Sequence, residues 1–228
     1  MRARTRPGRA PADAPSPRAV GISLKSQQVT ALFLAVRLGC SLMMEYDVHT
    51  VLDAATLAAT AWVLFSMRTK LARGYQSRKD SFPLPALLGV AFGLACVAHP
   101  ATRHPLPYRI AWALCVYLEA VSVLPQLRML QREPVVERWT ANYVFALGVA
   151  RFLSCAHWVL QLFDGNSFLF TAFLTKEAGR PARLQDRAWP AMVLVSEVVQ
   201  TFILADFCYF YVKSAAAGEA VMRMPSLV

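Results

Sequence analysis

Two arginines, two carboxylates, one imidazole and two indoles stand inside stretches that are otherwise apolar: Arg37, Arg151, Glu119, Asp206, His157, Trp112 and Trp158. An arginine in hydrocarbon is costly unless it meets a carboxylate, backbone carbonyls or water. Its planar fork matches a carboxylate and stays charged at any physiological pH. Arg37 and Arg151 therefore either receive the carboxylate of a ligand or pair internally, Arg151 with Glu119 or Asp206. The two acids could relay protons or lock an arginine. An unperturbed histidine titrates near neutrality, so His157 reads either as a pH sensor or as an interhelical hydrogen-bonder. Arg151 and Trp158, seven residues apart, share a helix face more closely than Arg151 and His157, six apart. Trp112 and Trp158 either stack over a peptide or cation or serve as packing and interface anchors. Glu197 precedes Asp206 by nine residues and does not neatly share its face. Glu45, Asp47 and His49 fall at a helix junction and read as solvated.

No Gly-rich phosphate loop, no catalytic Ser or Cys constellation and no metal-ligand spacing occurs, so neither an enzyme nor a cofactor is expected. The five cysteines at 40, 96, 115, 155 and 208 lie inside apolar stretches and read as small packing residues rather than a disulfide framework.

The elements that must position these groups are long and apolar. Of 228 residues, 56% are hydrophobic and only 17% charged, with a mean hydropathy of +0.38. A soluble domain has roughly 45–50% apolar and about 25% charged residues. The apolar blocks are long enough for about 30 Å of hydrocarbon, so the chain reads as an all-α, polytopic membrane protein rather than a soluble helical one. Six spans are expected at about 29–45, 48–67, 83–99, 106–124, 141–162 and 190–212. Pro125-Gln126 closes the fourth, because proline has no N–H to continue a helix. Residues 1–20, rich in Arg, Pro and Ala, read as a disordered basic tail ahead of a bundle over 21–213, with a second tail over 214–228. Loop 163–189 is long for a compact bundle; it is either a lumenal insertion or an artefact of gene prediction.

The net charge of +10 would point to nucleic acid in a soluble protein; here it reflects topology. Loops and tails on one side of the spans carry 16 Lys and Arg, those on the other 5. This bias places both termini in the cytosol. A weak internal repeat pairs Lys25-Ser26-Gln27 and the run to Arg37 with Leu124-Pro125-Gln126 and the run to Arg151. Repeat-related helices with a site near the midplane are a habit of transporter-like folds.

Four strings carry a closer resemblance: Gly21-Ile-Ser-x-Lys-Ser-Gln27, Trp112 to Gln126 (WALCVYLEAVSVLPQ), Tyr143 to Arg151 (YVFALGVAR), and Val199-Gln-Thr-x-x-Leu-Ala-Asp206-Phe-Cys-Tyr-Phe-Tyr211. With them the chain resembles the KDEL receptors, the ER lumen protein retaining receptors. The resemblance implies a seven-helix fold similar to the SWEET and PQ-loop transporters. Because the matching strings begin at Gly21, the resemblance implies six spans, without the family's first helix. It implies a receptor that binds C-terminal Lys/His-Asp-Glu-Leu signals of ER lumenal proteins in the acidic Golgi and returns them to the ER in coated vesicles. By resemblance, Arg37 and Arg151 meet the signal's carboxylates, Trp112 and Trp158 line the cavity, Glu119 belongs to its polar network and Asp206 is linked to transport. The chain departs from the family's pattern at Leu38-Gly39-Cys40, at Ala150 and Ser154, and at His157 and Gln161. Its tail, SAAAGEAVMRMPSLV, is thinned of the lysines that recruit the vesicle coat. The resemblance implies residence in ER and Golgi membranes. The rival readings are a family member that no longer binds the signal and a small-solute transporter of PQ-loop type.

Overall fold

The computed structural model describes residues 21–44, 48–75, 77–100, 104–133, 136–163 and 184–218. The expected disordered tail (1–20) and most of loop 163–189 lie outside the described residues. Seven helices account for most of the rest: α1 (Leu24–Met44), α2 (Val48–Thr69), α3 (Leu84–Val97), α4 (Leu106–Val121), α5 (Leu124–Leu130), α6 (Arg138–Phe163) and α7 (Leu184–Ala216), with a 3-10 turn at Ala72–Gly74. No strand occurs among the described residues. Four stretches, Val48–Thr69, Leu106–Leu130, Arg138–Leu160 and Ala191–Ala216, are long and apolar enough to cross a membrane. The apolar α3 is shorter, and α1 carries Lys25, Gln27, Gln28 and Arg37 along its length.

Prolines mark the first turn of α3, α4 and α5, where their missing N–H would have had no helical partner anyway. Pro125 does not end the fourth span as the sequence predicts. The helix breaks at Ser122-Val123 and resumes at Leu124 with Pro125 in its first turn. The whole of Leu106–Leu130 then serves as one apolar segment, and Glu119 sits near its middle. At the other end of the chain, α7 begins at Leu184, ahead of the expected 190.

The interior lies along α1 and α4. Helix α1 packs on α2 and α4, α4 also on α3 and α7, and α6 on α7. Val29, Phe33 and Leu34 of α1 meet Leu87, Ala91 and Ala95 of α3 and Ala113, Tyr117 and Leu118 of α4. Alanines at 91, 95 and 113 let backbones approach closely, the usual device where lipid offers no hydrophobic drive between helices. A second cluster joins Leu127 and Leu130 of α5, Val144 of α6, and Leu204 and Phe207 of α7. Gly148 permits the α6–α7 contact, since a side chain there would collide with Cys208 Sγ. Outward positions stay apolar: Leu52, Trp62, Phe65, Val90, Phe152, Leu160 and Phe202 are all more than half exposed. An exterior of this kind suits hydrocarbon as its solvent.

The end of the bundle where α1 and α3 begin is tied by a buried polar latch. Gly21 adopts a φ of +91°, a conformation costly to other residues, and a Cβ there would lie 2.8 Å from Thr140 Oγ1. Ser23 Oγ accepts the Ser26 N–H at 3.1 Å, satisfying a free donor of the first turn of α1. Gln126 accepts from Ser23 N at 2.7 Å and donates to the Gly21 carbonyl. Ser26 Oγ donates to the Ser122 carbonyl at 2.6 Å, at the break between α4 and α5. Buried Asp80 accepts from Ser23 Oγ at 2.9 Å, Lys25 N at 3.1 Å and Tyr75 Oη at 2.6 Å. Its charge lies at the N-terminus of α1, the favourable end of that dipole.

Candidate functional site

Each of five helices brings one ionisable side chain to the middle of the bundle. Arg37 comes from α1, Asp53 from α2, Glu119 from α4, Arg151 from α6 and Glu197 from α7. Arg37 grips Asp53 with both edges of its fork, Nε to Oδ2 at 2.8 Å and Nη2 to Oδ1 at 2.5 Å. Its third nitrogen, Nη1, reaches Glu119 Oε2 at 2.9 Å. The other Glu119 oxygen accepts from Arg151 Nη1 at 2.5 Å. A chain Asp53–Arg37–Glu119–Arg151 thus threads four helices, and its two positive and two negative charges cancel. Bidentate, charge-assisted bonds are the strong members of their class. The four side chains are between 12% and 26% exposed, so none of them is sealed completely within the bundle.

The two arginines are held unequally. Arg37 commits all three guanidinium nitrogens and lies 5.5 Å from the centre of the Phe33 ring. Among the described residues Arg151 makes one hydrogen bond, so most of its five N–H donors are left to point elsewhere. Next to it stands Glu197, only 9% exposed. Ser154 bonds to its carboxyl, while Glu119 and Arg151 act on it through charge. Its Oε2 has no partner among the described residues, nor has Oε1 of Gln200, one turn further along α7. Buried acceptors without partners are rare in proteins, and here they cluster beside the arginine with donors to spare.

The structure therefore brings Arg37, Glu119 and Arg151 together, through the internal pairing that the sequence leaves open. Trp112 precedes Glu119 by seven residues on α4, and Trp158 follows Arg151 by seven on α6. The two helices run in opposite directions, joined by a short connection at one end. Both half-buried indoles thus lie about 10 Å from the charges, at 1.5 Å per residue, and on the same side of them. His157 is exposed on α6 and its ring lies edge-on to Trp158, 6.4 Å between centres. Asp206 is exposed on α7 and is no partner of Arg151. Asp53 is the member that the sequence reading missed. The available signal was a lone acid in an apolar span, the same signal that drew attention to Glu119. Among the described residues no group of His, Cys, Asp and Glu could hold a metal ion.

The chain as a whole is similar to known proteins. The profile of a family described as ER lumen protein retaining receptor matches residues 18–161. The ER lumen protein-retaining receptor erd-2.2 of Caenorhabditis elegans is 30% identical over 207 residues, which cover 90% of this chain and 85% of the relative. The ER lumen protein-retaining receptor 3 of Xenopus laevis is 30% identical over 90% of this chain and 86% of its own length. The ER lumen protein-retaining receptor A of Arabidopsis thaliana is 29% identical over 84% and 80%. These relatives are retention receptors, not enzymes. With an all-helical, membrane-spanning fold and a match over most of its length, this chain belongs to the ER lumen protein retaining receptor family.

Proposed function

We propose that this protein binds C-terminal retention signals of the Lys/His-Asp-Glu-Leu type on ER lumenal proteins and retrieves them from the Golgi to the ER by vesicle transport. The observation that carries the reading is the asymmetry of the arginines: among the described residues Arg151 makes a single hydrogen bond, to Glu119, at mid-membrane depth and below two indoles. Arg151 is the guanidinium that takes a peptide carboxylate; Arg37, locked on Asp53 and Glu119, holds the cavity in shape. Trp112 and Trp158 flank the path by which the peptide enters. The cavity lies in ER and Golgi membranes, opens to the lumen and leaves both termini in the cytosol. Asp206 and the tail over 214–228 belong to the transport step, where the thinned tail makes coat recruitment weak.

Protonation favours the bound state. The four-charge chain is neutral, and ionised Glu197 would make the cavity repel an acidic peptide. A proton on Glu197 removes that repulsion. A second reading, a family member that binds no signal, is favoured by one observation: the four charges of the Asp53–Arg37–Glu119–Arg151 chain cancel within the protein.

Binding of a fluorescent peptide ending in His-Asp-Glu-Leu to the purified protein, at about pH 5.5 and about pH 7.4, separates the two. Tighter binding at the lower pH, lost when the peptide C-terminus is amidated, supports the receptor. Absence of binding at both values, from protein shown to be folded, supports the second reading.

A further inference from the structure

An apolar cavity opens on the outside of the bundle, away from the mid-membrane charges. It is an apolar groove of about 410 Å³ between α3, the α4–α5 segment and α7, lined among others by Leu87, Ala91 and Leu94, by Leu124, and by Met192 and Val199. Ser196 and Tyr117 supply almost its only polar atoms, and the Tyr117 hydroxyl is already bonded to the Ala98 carbonyl at 2.8 Å. Along α3 the groove runs from Pro83 to Leu94, roughly 16 Å at 1.5 Å per residue. That is close to the depth of one leaflet, half of about 30 Å of hydrocarbon.

One end of the groove is charged. Phe82 forms its lip, and two cations touch Phe82 directly. The Arg128 guanidinium lies 5.7 Å from its ring centre, and Lys25 Nζ donates to its carbonyl at 2.7 Å. Arg132 is anchored on the adjacent Ser81 hydroxyl. Lys79 is paired with Glu133 at 2.6 Å, and buried Asp80 is consumed by the latch. Around Phe82 there are thus four cations against two carboxylates. Among the described residues Lys25, Arg128 and Arg132 form no ion pair. Arg128 and Arg132 are exposed.

We propose that this groove is a binding site for one anionic phospholipid, its acyl chain lying along α3 and its phosphate-bearing headgroup held by Arg128, Arg132 and Lys25. An apolar slot one leaflet deep with unpaired cations at its outer end is complementary to such a lipid and to no part of a soluble peptide. Each basic residue near an anionic leaflet adds about fivefold to its attraction. Occupancy would brace α3 against α7, two helices joined mainly through α4.

The test uses the full-length protein in phosphatidylcholine nanodiscs with phosphatidylserine carrying a photoactivatable group in its acyl chain. Crosslinks are expected on residues 82–94 and 192–199, displaced by unlabelled phosphatidylserine and about fivefold less well by phosphatidylcholine. Arg128→Gln should lower the labelling about fivefold, and Val90→Trp, which fills the groove from an exposed position, should remove it. Equal labelling by serine and choline lipids in the unaltered protein would overturn the proposal, as would labelling confined to other helices. That comparison stands even if either variant fails to fold.

Discussion

Two polar regions lie inside this apolar bundle, and they are built on opposite principles. The latch at the end of the bundle is buried and neutral apart from Asp80, and its donors and acceptors are matched through Ser23, Ser26 and Gln126. The mid-membrane cluster is charged, partly exposed and incompletely matched, with Glu197 and Gln200 each keeping an oxygen that has no partner among the described residues. Matching of the first kind fixes a structure; a mismatch that persists in a cavity is available to a ligand. Within the cluster the same contrast recurs, since Arg37 resembles the latch and Arg151 does not.

Breaking the two arginines separately should expose that contrast most strongly. Arg37→Gln leaves Asp53 and Glu119 facing each other without their shared cation. Removing one partner of a buried pair costs about 3 kcal/mol at the low end, suited to side chains this exposed, and should appear as a large fall in the thermal midpoint. Arg151→Gln removes one bond to Glu119 and should leave the midpoint nearly unchanged. Peptide affinity should instead fall by about 2 kcal/mol, roughly thirtyfold, in a fluorescence titration. Should Arg151→Gln destabilise the fold as much as Arg37→Gln, the division of labour between them would be wrong.

The latch is expected to respond in stability alone. Gln126→Leu strands the Ser23 N–H and the Gly21 carbonyl and should cost about 1.5 kcal/mol while peptide affinity per folded molecule stays the same. The smallest effect belongs to Tyr75. Burial, and then its bond to Asp80, raise the Tyr75 hydroxyl above its ordinary value. The neutral phenol therefore stabilises the fold fully below about pH 10, and this contribution is lost as pH rises above that value. As pH rises above about pH 10, the unaltered protein should lose stability that Tyr75→Phe does not lose, the difference being about 1 kcal/mol at most.

The charged residues were legible in the sequence because hydrocarbon makes each of them conspicuous; their pairing was not. Arg37, Glu119 and Arg151 stood out, yet Asp53, which binds Arg37 most tightly, was passed over, because nothing in a single chain aligns position 53 with position 37 across two helices. The strings behind the family resemblance proved partly structural: Gly21, Ser23, Ser26 and Gln126 form the latch. Helix rotation was harder to foresee. Helix α6 is apolar on nearly every side, so its sequence offers no stripe to orient His157, which the structure leaves exposed beside Trp158. Pro125 was read as a stop because it lacks an N–H, but a break two residues earlier lets it begin a new helix.

The claim that Arg151 holds a peptide carboxylate is tested most directly by a double-mutant cycle. Affinities of the unaltered protein and of Arg151→Gln would be measured for a peptide ending in His-Asp-Glu-Leu and for its C-terminally amidated form. If Arg151 meets that carboxylate, the two changes are coupled by about 2 kcal/mol, so amidation costs little once the arginine is gone. Additive losses, with amidation equally damaging in both proteins, would mean that the carboxylate binds elsewhere and that Arg151 serves only Glu119.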